Sequence, residues 1–348
     1  MKYDIIAEDL AKIIAGELPW HVLGGKTVLI TGASGFLPAY LVETLLFLNE
    51  QRGLRIKILA LVRNIDRARE RFAKYARRAE LEFIIQDVCA LISINASIDY
   101  IVHAASQASP KYYGSDPVGT ICANTLGTNR LLELAREKKV KSFLFFSSGE
   151  IYGQVREDQI PTRETDCGHI DPASIRSCYA ESKRLGETLC VCWHAQFEVP
   201  AKIVRPFHTY GPGMRMDDGR VYADFVANIV RGETIQMKSD GSAQRAFCYI
   251  ADATLGFWTV LLKGREGEAY NIGNPQGETS ILQLARTLAG LFPEKKIDVV
   301  CMERGADKGY LKSGIVRNCP NIDKARILGW EPSTSIQEGF KRTIRSYE

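Results

Sequence analysis

The sequence predicts an α/β fold built on a doubly wound parallel sheet, with a smaller C-terminal lobe. Three observations carry this expectation. Apolar, β-rich runs recur with segments between them long enough for crossover helices. A glycine-rich turn follows the first run, and the regular alternation stops near residue 205, where turns and separate helical patterns replace it. Strands of a parallel sheet are buried on both faces, so they read as continuous apolar runs, as these do.

Residues 1–25 form an extension in which Ile5, Ile6, Leu10, Ile13 and Ile14 share a helical spacing, so a helix packed on the main body is expected. The body spans 26–204 and opens with Thr27 to Ile30. There Val28-Leu29-Ile30 leads into Thr31-Gly32-Ala33-Ser34-Gly35-Phe36. Gly32 and Gly35 permit a tight turn and a close backbone approach at the N-terminus of the next helix, the arrangement that holds a dinucleotide pyrophosphate in a Rossmann-type fold. Further strands are expected at Ile56 to Val62, Phe83 to Ile85, Tyr100 to His103, Ser142 to Phe146 and Lys202 to Val204. Residues 205–348 make up most of the lobe, with turns at Gly211-Pro212-Gly213 and Asp217-Asp218-Gly219 and helices at about 221–231, 251–263 and 280–291. The chain returns to the body near 246–275. A lobe set against the strand C-termini closes over the edge where open α/β sheets hold their ligands.

Composition narrows the function classes. A chain of 348 residues with 45% hydrophobic content has ample material for a core, and a net charge of +4 is slight for that length. The cluster from Arg63 to Arg78 is interrupted by Asp66, Glu70 and apolar residues, which reads as a solvated helix and not as a nucleic-acid stripe. Nine scattered cysteines without a C-x-x-C pair or metal spacing point to reduced, mostly buried thiols, with one of Cys190 and Cys192 facing the core. No metal site is expected. No apolar run approaches the ~18 residues that cross a bilayer, and the N-terminus begins with an acidic amphipathic segment, so a cytoplasmic protein with no membrane partner is expected.

Tyr179 and Lys183 in the run Tyr179-Ala180-Glu181-Ser182-Lys183 stand four apart. On a helix they share a face, and a nearby ammonium favours the phenolate, a usable base. The strand ending at Phe146 delivers Ser147-Ser148-Gly149-Glu150-Ile151-Tyr152-Gly153, a hydroxyl and a carboxylate, to the same ligand edge. At the dinucleotide end, Asp87-Val88 is placed where a carboxylate can accept from an adenine amine, although a helix-starting Asp fits equally well. The ribose-binding acid expected about 20 residues beyond the glycines is missing. Arg63 stands there, in Ala60-Leu61-Val62-Arg63-Asn64, and an Arg can hold a 2′-phosphate, so NADP stays open beside NAD.

With these residues in place, the chain resembles the extended short-chain dehydrogenase/reductase family over roughly 26–345. More narrowly it resembles the nucleotide-sugar epimerases, dehydratases and decarboxylases, and most of all the UDP-glucuronate decarboxylases (UDP-xylose synthases). The runs that carry this are His103-Ala104-Ala105-Ser106, Asn124-Thr125-Leu126-Gly127-Thr128, Met214-Arg215-Met216-Asp217-Asp218-Gly219-Arg220-Val221, Gln244-Arg245-Ala246-Phe247, Asn271-Ile272-Gly273-Asn274-Pro275 and Leu328-Gly329-Trp330-Glu331-Pro332. The resemblance implies that Tyr179 takes the sugar 4-hydroxyl proton, that Lys183 binds the nicotinamide ribose and lowers the Tyr pKa, and that Ser148 hydrogen-bonds the same oxygen. Glu150 would act near C5 and C6, and Arg245 near a sugar carboxylate. It further implies an NAD site lined by Gly32, Ser34, Gly35, Phe36, Leu37, Arg63, Asp87, Val88, Ala104, Ala105, Ser106 and Asn124. Ser106, Arg176, His208, Arg215 and Arg220 would face a nucleotide-diphosphate sugar. Arg205 and Arg220 are candidates for its phosphates or base, and a homodimer through the helices carrying Asn124 and Tyr179 is implied.

Three positions depart from the family pattern. Pro38 replaces the third glycine of the phosphate turn, His208 replaces the Asn of an N-x-x-G-P segment, and Gly149 replaces a Ser or Thr. Gly149 carries no proton where a 4,6-dehydratase places its acid, which argues against that reaction. Decarboxylation of a UDP-hexuronate through transient C4 oxidation is the leading expectation, and a 4-epimerase is the alternative. From another class, the fold also serves non-catalytic NAD(P)-sensing or RNA-associated proteins. The intact Ser148, Tyr179 and Lys183 argue for an enzyme.

Overall fold

The computed structural model describes residues 4–237, 239–301 and 314–348. Seven parallel strands form the central sheet: β1 (Thr27–Thr31), β2 (Lys57–Val62), β3 (Leu81–Ile85), β4 (Tyr100–His103), β5 (Ser142–Phe146), β6 (Ala201–Pro206) and, after the three intervening strands of the lobe, Ala269–Ile272. Their spatial order is 3-2-1-4-5-6 with Ala269–Ile272 at the β6 edge. The order reverses between β1 and β4, and the crevice at their C-terminal ends is where a doubly wound sheet binds ligands.

Alternation along each strand builds two cores. Val28, Ile30, Ile58, Ala60, Val102, Leu144 and Val204 face one layer, which contains helices α1 (Ile5–Ala15) and α2 (Phe36–Arg52). Leu29, Leu59, Leu61, Ile101, Phe143, Phe145 and Ile203 face the other. After the short α3 (Ile65–Arg71) and α4 (Lys111–Ser115), that second layer is made by α5 (Pro117–Asn124), α6 (Leu126–Lys138) and α7 (Ser177–Phe197). The doubly wound sheet read from the sequence is thus the one observed.

The lobe holds two small sheets. Strands β7 (His208–Tyr210), β9 (Gln244–Tyr249), β11 (Glu278–Ser280) and β13 (Arg317–Asn318) form one, and β8 (Ile235–Met237) pairs with β12 (Val299–Cys301) in the other; β10 is Ala269–Ile272 of the main sheet. Helices α8 (Val221–Arg231), α10 (Ile281–Gly290), α11 (Asp323–Ile327) and α12 (Ile336–Arg345) accompany them, while α9 (Ile250–Lys263) packs back against β5 and β6. The expected helices at 221–231, 251–263 and 280–291 are therefore α8, α9 and α10.

Helix α1 packs on the body as its spacing predicts, burying Ile5, Leu10, Ile13 and Ile14. Its Asp9, 1% exposed, accepts from Tyr40 Oη (3.0 Å), Tyr249 Oη (2.8 Å) and an Arg342 Nη (2.9 Å), tying α2, β9 and α12 to one buried carboxylate. A buried charge persists only when paired in this way. The nine cysteines are all free, with Cys190 buried and Cys192 exposed. Only Cys178, Cys190, Cys248 and Cys319 are buried, which corrects the expectation of mostly buried thiols, because Cys167, Cys192 and Cys301 lie on outward faces.

Candidate active site

A cleft of about 2700 Å³ runs along the C-terminal edge of the sheet and under the lobe. At one end the chain leaves β1 at Gly32, whose φ of +65° is the left-handed region that glycine alone adopts without strain. A Cβ there would lie 2.7 Å from Ala105 Cα, so the β1 and β4 turns can close on each other only because this residue has no side chain. Gly35 N donates to Gly32 O (2.8 Å) and begins α2, whose first free N–H groups face the cleft. Pro38 sits in the first turn of α2, where its missing N–H costs no hydrogen bond. The helix forms despite the lost third glycine.

Gly32, Ser34, Gly35, Phe36, Leu37, Arg63, Asp87, Val88, Ala104, Ala105 and Ser106 all line this end. Ser106 Oγ is buried and has no partner among the described residues. Asn124 lies behind the wall, fully buried, with its amide donating to Ser182 Oγ (3.0 Å) and its Oδ1 unpartnered among the described residues. Asp87 accepts from Cys89 N (2.8 Å) in a turn with no helix after it, which corrects the helix-starting alternative, and its other oxygen stands 3.8 Å from Arg63. These features fit a dinucleotide: a close-approach glycine, a helix N-terminus and an orphaned hydroxyl face one cavity.

The centre of the cleft is the end of β5 opposite the first turns of α7. Ser148 Oγ accepts from Glu150 N (3.1 Å), fixing the turn, and its hydroxyl hydrogen-bonds Tyr179. Lys183 is 2% exposed and donates to Phe146 O (2.5 Å). Burial lowers its pKa to about 7, with Glu187 acting the other way. Burial raises the Tyr179 pKa, and the opposing influences are the Ser148 hydrogen bond and Arg220. This corrects the expectation that Lys183 depresses it, since the ammonium is turned to the Phe146 carbonyl and lies 5.8 Å from the Tyr179 ring centre. Glu150 accepts from an Arg176 Nη at 3.2 Å, both side chains being about three-quarters buried.

Sequence reasoning missed Tyr113, whose ring stacks on Tyr179 at 5.1 Å and 17°, with its hydroxyl on Ala108 O (3.1 Å). It lies on the short helix α4 and carries no motif. Also missed was the clasp between loops, where Ser109 Oγ donates to Asp218 O (2.5 Å) and Lys111 Nζ to Asp217 O (3.1 Å).

The lobe side carries His208, Arg215, Arg220 and Arg245, all lining the cleft. Arg220 donates to Ala108 O (2.9 Å) and pairs with Asp218 (3.3 Å). Arg215 is bidentate to Asp217 (2.7 and 2.6 Å), and Arg245 donates to the carbonyls of Gln244, Ile315 and Val316. Burial, then Arg245 and Arg220, hold the His208 imidazole neutral, and its Nδ1 has no partner among the described residues. Arg205 is the correction here. It lies outside the cleft and is buried in a bidentate pair with Glu187 (2.9 and 2.6 Å), with a further bond to Tyr152 Oη (2.7 Å), so it organises α7 from behind. A β-strand end can point a side chain to either face, and the sequence does not say which.

Fold and site together define a dinucleotide-dependent enzyme with a Ser/Tyr/Lys centre under a lobe rich in arginine. The model of the NAD dependent epimerase/dehydratase family matches residues 28–273, and the chain belongs to that family, whose cofactor is NAD. It is 34% identical over 314 residues to UDP-glucuronic acid decarboxylase 6 of Arabidopsis thaliana, covering 90% of this chain and 86% of that one. It is 33% identical over 327 residues to UDP-glucuronic acid decarboxylase 1 of Xenopus tropicalis, covering 92% and 72%. Among solved structures, the UDP-glucuronic acid 4-epimerase of Bacillus cereus in complex with UDP-glucuronic acid and NAD shares the fold at a TM-score of 0.75 and 23% identity, with 92% and 98% coverage. The UDP-glucose 4-epimerase of Thermotoga maritima does so at 0.76 and 24%, with the same coverages.

Proposed function

We propose that the protein decarboxylates a UDP-hexuronate through transient oxidation at C4. The observation that carries this reading is Glu150, held by Arg176 on the same turn as Ser148 and beside Tyr179. Epimerisation at C4 uses only the Ser/Tyr/Lys set, whereas chemistry at C5 and C6 uses a further carboxylate. The curated relatives named above, both UDP-glucuronic acid decarboxylases, support it. Gly149 weighs against 4,6-dehydration twice over: it carries no acid, and a Cβ there would meet the Phe207 ring at 3.2 Å.

The cofactor would be held by the α2 N-terminus, Ser106 and Lys183, and when bound it supplies the hydride acceptor for C4 and the later donor. Tyr179, steered by Ser148, takes the proton of the 4-hydroxyl, and Ser148 donates to the same oxygen as it becomes a ketone. The C6 carboxylate is then β to a carbonyl. The C5–C6 bond breaks with its electron pair delocalising into the 4-oxygen, carbon dioxide leaves, and a proton is taken up at C5. Tyr179 finally returns its proton to the 4-oxygen. Arg220, Arg215 and Arg245 offset the substrate's diphosphate and carboxylate charges, and neutral His208 keeps one ring nitrogen able to accept a hydrogen bond, which a further cation could not do.

The same reading divides the chain into the extension 1–25, the cofactor domain 26–204 with its return at 246–275, and the substrate lobe. A homodimer fits α5 and α7, which pack together and expose Val118, Ile121, Leu185 and Val191. Nine unpaired thiols suit a reducing cytoplasm. The test is mass spectrometry of the products formed from UDP-glucuronate and from a panel of UDP-, dTDP-, GDP- and CDP-hexoses. A product lighter by carbon dioxide is expected from the uronate. An isomer of unchanged mass overturns the reading in favour of epimerisation.

A further inference from the structure

We infer that the adenosine end of the cleft is built to accept a 2′-phosphate, with Arg63 and Arg67 as the residues that recognise it, so that NADP binds this chain at least as well as NAD. In a doubly wound sheet, the residue at the end of the second strand meets the adenosine ribose. A carboxylate there accepts from the 2′-hydroxyl and repels a 2′-phosphate, and an arginine does the reverse.

Strand β2 ends at Val62, and the next two residues are Arg63 and Asn64, both lining the cleft. Asn64 is committed to the backbone, since its Oδ1 accepts from Arg67 N (2.9 Å) and starts α3. That turn carries Arg67 to the same wall. The Arg63 side chain is 64% exposed, and its contact with Asp87, at 3.8 Å, is an ion pair too long for a hydrogen bond. Among the described residues the Arg67 guanidinium has no partner. Arg71, the third cation of the row, is spoken for by the buried Glu43 at 3.0 Å.

The anions lining this end are Asp87 and Glu70. Asp87 already shares one oxygen with Cys89 N, and Arg63 stands next to the other. A phosphate of about two negative charges entering between Arg63 and Arg67 would find two guanidinium groups with donors to spare and no carboxylate at the ribose. Charge-assisted and bidentate contacts of that kind are the strong ones.

The nucleotide released from the purified protein by denaturation identifies the resident form by mass. Calorimetric titration of NADP+ and NAD+ then compares the two directly. NADP+ is expected to bind at least as tightly as NAD+. Arg63→Ala should weaken NADP+ by about tenfold or more while changing NAD+ by less than about threefold, and Arg63→Asp should reverse the preference. NADP+ binding tenfold or more below NAD+ would sink the inference, as would an equal loss of both in Arg63→Ala. Arg63 is exposed, so an unchanged melting temperature checks that the variants fold. These are binding measurements, and they stand whether or not the products are those of a decarboxylase.

Discussion

The two walls of the cleft are made differently. On the sheet wall, Ser148, Tyr179 and Lys183 sit at the end of a strand and on the first turns of a helix, nearly buried, each with a fixed partner. On the lobe wall, Arg215, Arg220 and Arg245 reach in from turns and a short strand, more exposed, and bond carbonyls and carboxylates of neighbouring loops. The first wall has its geometry before any ligand arrives, which is what proton transfer requires. The second holds cations whose present partners a more highly charged ligand can replace. The proposed mechanism accordingly assigns chemistry to the rigid wall and recognition to the adaptable one.

The most severe test of that division is Tyr179→Phe. It removes one oxygen and leaves the ring stacked on Tyr113. Turnover should fall by about 10²- to 10⁴-fold, the usual contribution of a positioned acid–base group, while substrate affinity by calorimetry and the melting temperature change little. Retained turnover would move the chemistry off the sheet wall.

A smaller effect is expected in the pH dependence of stability. Folding lowers the Lys183 pKa from 10.5 to about 7, because burial disfavours the ammonium. Between those values the unfolded chain holds a proton that the folded chain has released, so this group makes stability rise with pH there. Lys183→Met removes the contribution. Urea unfolding should then show wild-type stability gaining on the variant's from about pH 7 to about pH 9, by up to ~3 kcal/mol. A pH-independent difference would mean that Lys183 keeps its proton and that the wall is less shielded than its burial indicates.

The same contrast explains what was legible in the sequence. Strand and helix periods placed β1 to β6 and α8 to α10, and the spacing of Tyr179 and Lys183 put both on one helical face, because regular elements repeat at fixed intervals. The motif did not show where each polar end would point. Lys183 turns to a strand carbonyl, and Arg205, one strand away, turns from the cleft to Glu187. Such choices are made by partners distant in sequence: Glu187 precedes Arg205 by 18 residues, and the Ala108 carbonyl precedes Arg220 by 112. Tyr113 was invisible for the same reason, since its role exists only once α4 is laid on α7.

The smallest expected effect is on the lobe wall. Arg215 and Asp217 form a bidentate pair with side chains 49% and 62% exposed. Solvent screens such a pair, so Arg215→Ala should change unfolding free energy by less than about 0.5 kcal/mol. If Arg215 exchanges Asp217 for a substrate phosphate, the same variant should raise KM several-fold with kcat nearly unchanged, because uniform binding is what it removes. The effect should shrink as salt is added. A fall in kcat at constant KM would place Arg215 among the groups that act only in the transition state, and the separation of recognition from chemistry would then fail at the loop where it is drawn most sharply.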